Sequence, residues 1–457
     1  MSLLIASNRG PISFNYLNGE LRTGRGGGGL ASGLLQALNG TNAKWISAAT
    51  SLADRAAIEM DLWKMPEVEL HPVILDTQIY ESAYNKVSNE TLWFMFHGLF
   101  NAPYSPVFDR RFFHDLDGYY SYNQSFAETL AKVAASGDTV FVNDYHLLLV
   151  PKLLRSLRKD ISVTFFLHTP FPSPEEFSLL PSNFAHAIIS SLCDSDLVGF
   201  HADQWRTNFR RTLDAMGFRS ELHSVVAPLP TDSKALEISS KTSNVLAEMD
   251  KIQQDVGEKR LLVRVDRMEL SKNIVRGFLS IDELLLEHPE IKGEFIHMAL
   301  CYPSRDSIKA YRDYAEEVKR TAEAINEAHG TKNWKPIVLL SEDNYNRSLA
   351  ALQLSNCLLV NPVRDGLNLV AQEGALVNQR NGEIILSQAA GLAEHIKDFV
   401  TTINPFDIVQ TAESLFSSLF EENDSTENRA NLRSTLIENT PQQWLEVVTG
   451  NNLREVF

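Results

Sequence analysis

Along this chain, short runs of aliphatic, β-branched and aromatic residues alternate with longer stretches whose apolar positions recur every three or four residues. The short runs predict strands at 3–7, 139–144, 163–168 and 197–201 in the first half. In the second half they predict strands at 260–267, 294–300, 336–340, 357–361, 383–387 and 400–404. Helical spacing falls between them, as at 125–135, 308–329 and 407–420. Several of the strands are apolar almost throughout, as parallel strands covered by helices on both faces must be. The alternation predicts an α/β protein of doubly wound sheets. At 227–232 the sequence APLPTD sets two prolines ahead of a polar, weakly patterned helix, and is the best linker candidate. Two sheets joined there are expected to leave a cleft. Ligands in such folds bind outside the carboxyl ends of the strands.

A length of 457 residues suits about three domains or two large ones, and 44% hydrophobic residues supply a real core. No apolar run reaches the roughly 18 residues of a membrane span. The opening MSLLIASNRG lacks a basic lead-in and a cleavage site, so it reads as a buried first strand and not as a signal peptide. Cys193, Cys301 and Cys357 are far apart and show no metal-binding or disulfide spacing. They fit small core residues in a reducing cytosol, so no metal and a cytoplasmic location are expected. A formal net charge of −16 repels nucleic acid and anionic membranes. Any phosphate ligand must therefore be held by a few local cations.

Four places along the chain carry candidate chemistry. RTGRGGGGL at 22–30 reads as a loop leading into a helical pattern at 31–38. Its four glycines, Gly26 to Gly29, would let backbone amides approach a ligand at a helix N-terminus, or would form a plain flexible loop. The pattern is neither a P-loop nor a dinucleotide fingerprint. VRVDRMELSK at 263–272 puts Arg267 and Lys272 just past a buried strand, either as phosphate ligands or as two surface charges. VRDGLNLVAQE at 363–373 runs from a strand through a turn at Asp365-Gly366 into a helix. Asp365 and Glu373 are eight positions apart, so they do not form a paired-carboxylate site. They suit a sugar hydroxyl and a ribose respectively, or else a helix cap and a helix-surface glutamate. Finally, VNDYHL and FFLHTPFP end two strands on Asp144 and His168, and the sharp bend after His168 suggests that it faces the cleft.

In this order the pieces resemble the trehalose-6-phosphate synthases, retaining glycosyltransferases of the GT-B type. The likeness runs from Ser7-Asn8-Arg9 to about Phe406 through SNR, GGGGL, YNKVSNETLW, NDYHLL, FFLHTPFP, DRMELSKN, YPSR, VRDGLNLVAQE, LSQAAG and NPFD. It implies two Rossmann-like, doubly wound domains facing an interdomain cleft: an acceptor-binding domain over 1–228 and a nucleotide-sugar domain over 229–439. A C-terminal helix near 440–457 would pack back onto the first. With the sequence ending soon after this core, no phosphatase domain is expected.

The resemblance also assigns roles. Arg9, Tyr84, Trp93 and Arg305 match residues that hold the acceptor phosphate, and Trp45 and Asp144 residues at the acceptor sugar. Gly28 and Gly29 match the glycine loop beside the donor diphosphate, and Arg267 and Lys272 the basic pair on it. His168, Asp365, Gly366, Leu367 and Asn368 match positions around the donor glucose, and Leu369 and Glu373 the nucleoside end. The implied reaction carries glucose from UDP- or GDP-glucose to glucose 6-phosphate with retention, and needs neither cofactor nor metal. Alternatives are another phosphorylated acceptor, as in glucosylglycerol-phosphate or cyclitol-coupling relatives, or a silent regulatory member. A homo-oligomer is compatible with the sequence. Three positions depart from the family pattern: Asn143 for a common His, Gln372 for a common Lys, and Pro228-Leu229-Pro230 for Pro-Ile-Gly. Gln372 is expected nearest the donor.

Overall fold

The computed structural model describes residues 2–17, 19–25, 29–38, 41–218, 222–421 and 426–450. The chain divides into two compact units, Met1–Leu229 with Thr440–Phe457, and Pro230–Asn439.

Unit 1 holds β1 (Leu3–Ser7), β2 (Ile12–Leu17), β3 (Glu20–Arg25), β4 (Lys44–Ala49), β5 (Glu69–Ile74), β6 (Thr139–Asn143), β7 (Ser162–Leu167), β8 (Leu197–Phe200) and β9 (His223–Val226). Seven of these form one sheet in the order β5-β4-β1-β6-β7-β8-β9. Every neighbouring pair in it is parallel. The four strands read from apolar runs are found, each within a residue of its expected ends. β5 went unread because Pro72 interrupts it, and proline is tolerated there because β5 lies at the sheet edge. β2 and β3 pair as an antiparallel hairpin whose last rung joins Ile12 to Arg25. The segment 22–25 is therefore strand and not loop, a correction of the sequence reading. The chain order reverses between β1 and β6, which makes the ends of those two strands the switch point of the sheet.

The helix Pro441–Val448 completes unit 1. Its Trp444 is fully buried, with ring centroids 5.8 Å from Phe141 and 5.2 Å from Phe166. The Trp444 indole N–H donates to the Ala227 carbonyl at 2.8 Å.

Unit 2 holds β10 (Arg260–Arg267), β11 (Phe295–Tyr302), β12 (Ile337–Leu340), β13 (Cys357–Val360), β14 (Glu383–Ser387) and β15 (Thr401–Ile403), ordered β12-β11-β10-β13-β14-β15 and parallel throughout. Here the order reverses between β10 and β13. Behind that point the helix Ile274–Glu287 crosses close to β10 at Gly277, where a Cβ would lie 2.3 Å from Arg264 Nη1. That glycine makes room for a fully buried arginine. Arg264 donates to Asp266 at 2.9 Å, to the Lys272 carbonyl at 3.0 Å and to Asn361, so it ties the ends of β10 and β13 together. No described helix is long and apolar enough to cross a membrane.

Candidate active site

At the switch point of unit 1, hydrogen bonds fix the segment leaving β1. Trp45 Nε1 donates to Ser7 Oγ at 2.8 Å, and Ser7 Oγ donates to the Arg9 carbonyl at 2.8 Å. Tyr122 donates to Asn8 Oδ1 at 2.7 Å. Trp45 was expected at the acceptor sugar, but it is 0% exposed. A tryptophan on a central strand has nowhere else to put its ring, and here it steadies Ser7-Asn8-Arg9 from behind.

Arg9 itself is exposed, and its Nη2 donates to Tyr84 Oη at 2.9 Å. The Tyr84 ring stacks on Tyr80 at 5.0 Å and on His146 at 5.6 Å, so its hydroxyl is aimed with little freedom. Tyr84 sits in Glu81–Leu92, a π-helix of 12 residues. Such helices are rare and concentrate at functional sites. Asn89, five residues on, donates to the Tyr84 carbonyl at 2.9 Å and accepts from Tyr145 at 2.8 Å. Trp93 follows directly and packs on His97 and Tyr145. The structure thus brings Arg9 and Tyr84 into contact.

Asp144 directly follows β6 with φ +73°, a left-handed conformation costly for an aspartate. That turn brings its Oδ1 within 3.2 Å of the His168 amide, which donates to it. The His168 ring was expected to face the donor glucose, yet both its nitrogens are engaged inside unit 1. The Leu229 amide donates to His201 Nδ1 at 3.3 Å. His201 Nε2–H is then left to donate to His168 Nδ1 at 3.1 Å, and His168 Nε2–H to Asn143 Oδ1 at 3.0 Å. Asn143 passes the chain to the Ala6 and Phe141 carbonyls at 3.3 and 3.1 Å. Burial, then the neighbouring His201, pushes the His168 pKa well below the usual histidine value, so His168 is neutral. Asn143 and His201 were not singled out as site residues. An uninterrupted apolar strand gives no sign of which ring its last residue will meet.

Gly28 lies outside the described residues, and Gly29 opens the helix Gly29–Ala37.

At the switch point of unit 2, Lys272 Nζ lies 2.7 Å from Asp365 Oδ2 and 4.0 Å from Asp266 Oδ1. Burial favours loss of the Lys272 proton, but Asp365 and Asp266 outweigh it and the pKa is raised, so the side chain is a fixed cation. Asp365 is held by its backbone: its amide donates to Ala389 O at 3.1 Å and its carbonyl accepts from Gly391 at 3.0 Å. Its carboxylate also accepts from the Leu367 amide at 3.4 Å and from Asn368 Nδ2 at 3.2 Å. Asn368 has φ +85° and caps the helix Leu369–Val377 through the Ala371 amide at 3.1 Å. Gly366 and Leu367 are buried in the same turn, and Leu369 begins the helix.

Arg267 projects from the end of β10 with its side chain 40% exposed. Its Nη1 lies 2.9 Å from Glu269 Oε1, which also receives Arg305 Nη1 at 3.0 Å and Ser304 Oγ at 3.0 Å. Burial alone would push the Glu269 carboxyl up, but Arg267 and Arg305 overcome it and hold it down at about 2. Glu269, the carboxylate between the two arginines, carries no mark of its role in the sequence. An acid two residues beyond Arg267 is common on any surface.

One helical turn beyond Asn368, Glu373 is partly exposed, but its side chain makes no hydrogen bond or ion pair among the described residues. Burial alone pushes its pKa up to about 7, as for a carboxyl in a concave, poorly hydrated recess. Asp365 and Glu373 thus have separate environments. Gln372, expected nearest the donor, is 1% exposed instead, and its Oε1 accepts from the Thr231 amide at 2.9 Å. The position before Glu373 on the helix thus turns inward to the 230–232 segment.

Comparison with known proteins follows the same lines. The family model described as Glycosyltransferase family 20 matches residues 1–451. The bifunctional trehalose-6-phosphate synthase/phosphatase of Thermoproteus tenax is 31% identical over 440 residues, which cover 92% of this chain but only 59% of that protein. The trehalose-6-phosphate synthase of Mycobacterium tuberculosis is 30% identical over 472 residues, covering 97% of this chain and 93% of its own. A solved Escherichia coli structure, trehalose-6-phosphate bound with UDP-2-fluoro glucose, superposes with a TM-score of 0.85 at 25% identity, over 99% of this chain and 98% of that one.

Proposed function

Since the chain belongs to glycosyltransferase family 20, we propose that it transfers glucose from UDP-glucose to glucose 6-phosphate, giving α,α-trehalose 6-phosphate with retention at the donor carbon. The observation that carries the reading is the cluster at the unit 2 switch point. Arg267, Lys272 and Asp365 come together there from the ends of β10 and β13, in a protein whose overall charge is −16. An exposed arginine beside a fixed, largely buried lysine suits a diphosphate. UDP is favoured over GDP because the E. coli structure is bound with UDP-2-fluoro glucose. Glu373 suits the ribose, where hydrogen bonds from hydroxyls would compensate its dry carboxylate.

In this reading the C1–O bond to the diphosphate breaks as the acceptor's O1 bonds to C1 on the same face. The O1 proton passes to the departing diphosphate oxygen, so no enzyme nucleophile is used. Arg267 and Lys272 stabilise the charge that grows on the leaving group, the kind of interaction that usually supplies the largest share of rate enhancement. Asp365, fixed at both its amide and carbonyl, orients a sugar hydroxyl. Arg9 and Tyr84, with Trp93 and Arg305 by family resemblance, serve the acceptor phosphate. His168 contributes by holding the ends of β6, β7 and β8 in register, since its ring is committed to Asn143 and His201.

The test is product identification. The protein is incubated with UDP- or GDP-glucose and with glucose 6-phosphate or glycerol 3-phosphate, and the linkage is read by NMR. An α,α-1,1 disaccharide phosphate from UDP-glucose is expected. Exclusive use of another acceptor, or of GDP-glucose, would replace that half of the reading, and no transfer to any acceptor would end it.

A further inference from the structure

Glu269 is fully buried, yet it holds two residues assigned to different ligands. Arg267 reaches its Oε1 from the end of β10, and Arg305 reaches the same oxygen from beyond the end of the adjacent β11. Arg305 is itself constrained. Its φ is +53°, its Nη1 also donates to Tyr311 Oη at 3.1 Å, and its guanidinium lies over the Tyr311 ring at 5.2 Å. A guanidinium carries five N–H donors in a fixed fork, and Arg305 turns Nη1 to both Glu269 and Tyr311, so its orientation is set by what Glu269 holds.

We propose that Glu269 is a positioning residue that couples the two anion sites of unit 2, because sharing one carboxylate oxygen makes each arginine's grip on a phosphate depend on the other arginine. The inference rests on the proposed function, which gives Arg267 to the donor diphosphate and Arg305 to the acceptor phosphate. A buried carboxylate demands compensating positive charge. With two arginines in place, neither must turn wholly inward. Removing the Arg305 guanidinium leaves Arg267 as the nearest counter-charge, and Glu269 draws it in. A diphosphate must then compete with Glu269 for Arg267. An arginine placed for one substrate thereby sets the affinity for the other.

The experiment uses UDP alone, titrated by calorimetry into the wild type, Arg305→Ala, Glu269→Gln and the double variant. Arg305→Ala is expected to weaken UDP about tenfold when Glu269 is present and less than about threefold when it is glutamine. If Arg305 acted on the diphosphate only as a nearby charge, the factor would be equal in both backgrounds, and that result would overturn the proposal. So would unchanged UDP affinity in Arg305→Ala. Should Glu269→Gln not fold, salt decides the question. Screening over a few ångströms at about 1 M salt removes an effect transmitted through solvent, while one passed through a buried carboxylate persists. A tenfold loss that vanishes at high salt would therefore refute the coupling. Failure of the wild type to bind UDP would overturn the donor assignment itself, and this inference with it.

Discussion

Replacing Lys272 with alanine tests the unit 2 site on two scales at once. The lysine faces Asp365 at 2.7 Å and Asp266 at 4.0 Å, with only 16% of its side chain exposed. At an effective dielectric constant of about 20, these separations correspond to gross attractions of roughly 6 and 4 kcal/mol. Desolvation offsets much of that, and breaking a buried pair typically costs about 3–5 kcal/mol because a charge is left behind. Partial exposure places Lys272→Ala at the lower end, about 3 kcal/mol. The loss should grow with pH. Burial already raises the Asp266 pKa, Lys272 opposes that rise, and without the lysine it climbs further. A carboxyl whose folded pKa is raised stabilises the fold when protonated and loses that contribution as pH rises, so the variant's deficit is larger at pH 8 than at pH 5. Catalysis should suffer separately. One lost contact to a leaving diphosphate is worth about 2–4 kcal/mol in the transition state, or roughly two to three decades in kcat. Urea unfolding at both pH values and steady-state transfer from UDP-glucose measure the two effects. A variant that is destabilised yet turns over within about threefold of wild type would refute the assignment of Lys272 to the leaving group.

Three further outcomes are expected. Glu373→Gln should raise the melting temperature at pH 8 but not below pH 5, because it removes a carboxyl whose pKa is raised to about 7 and which must ionise as pH rises; equal shifts at both pH values would contradict the raised value. Arg305→Ala should narrow the ratio of transfer to glucose 6-phosphate over glucose by about tenfold or more, chiefly by slowing the phosphorylated acceptor; an unchanged ratio would remove Arg305 from the acceptor phosphate. Trp444→Ala should cost unit 1 about 3–5 kcal/mol, as expected for deleting a fully buried ring with a satisfied N–H, and a loss under about 1 kcal/mol in denaturant unfolding would contradict the packing.

Much of this was legible in the sequence, and unevenly so. Strands such as β10 and β13 are buried on both faces, so their apolar runs were plain, and strand ends mark where an open sheet binds ligands. That is why Arg267, Lys272 and Asp365 could be named from residue type and position. Arg9, Tyr84 and Arg305 carried no such local signal and came only through family resemblance. What stayed hidden depends on direction and not on identity. Trp45 occupies a readable position, but its ring turns into the protein toward Ser7, and the nitrogens of His168 are taken up by Asn143 and His201. Gln372 and Glu373 are adjacent, yet a helix aims one at Thr231 and leaves the other partly open. The π-helix at Glu81–Leu92 cannot be told from an α-helix by spacing, since its polar residues show no clear stripe.

The two-segment make-up of unit 1 has a consequence for how the protein is made. Its sheet is encoded before residue 230, but Trp444, which covers Phe141 and Phe166, is translated only after all of unit 2. Domains form as their residues leave the ribosome. Unit 2 can therefore close as one uninterrupted stretch, while unit 1 waits with an apolar face uncovered. The first part begun is the last part finished, and in that interval the growing chain is most in need of protection from aggregation.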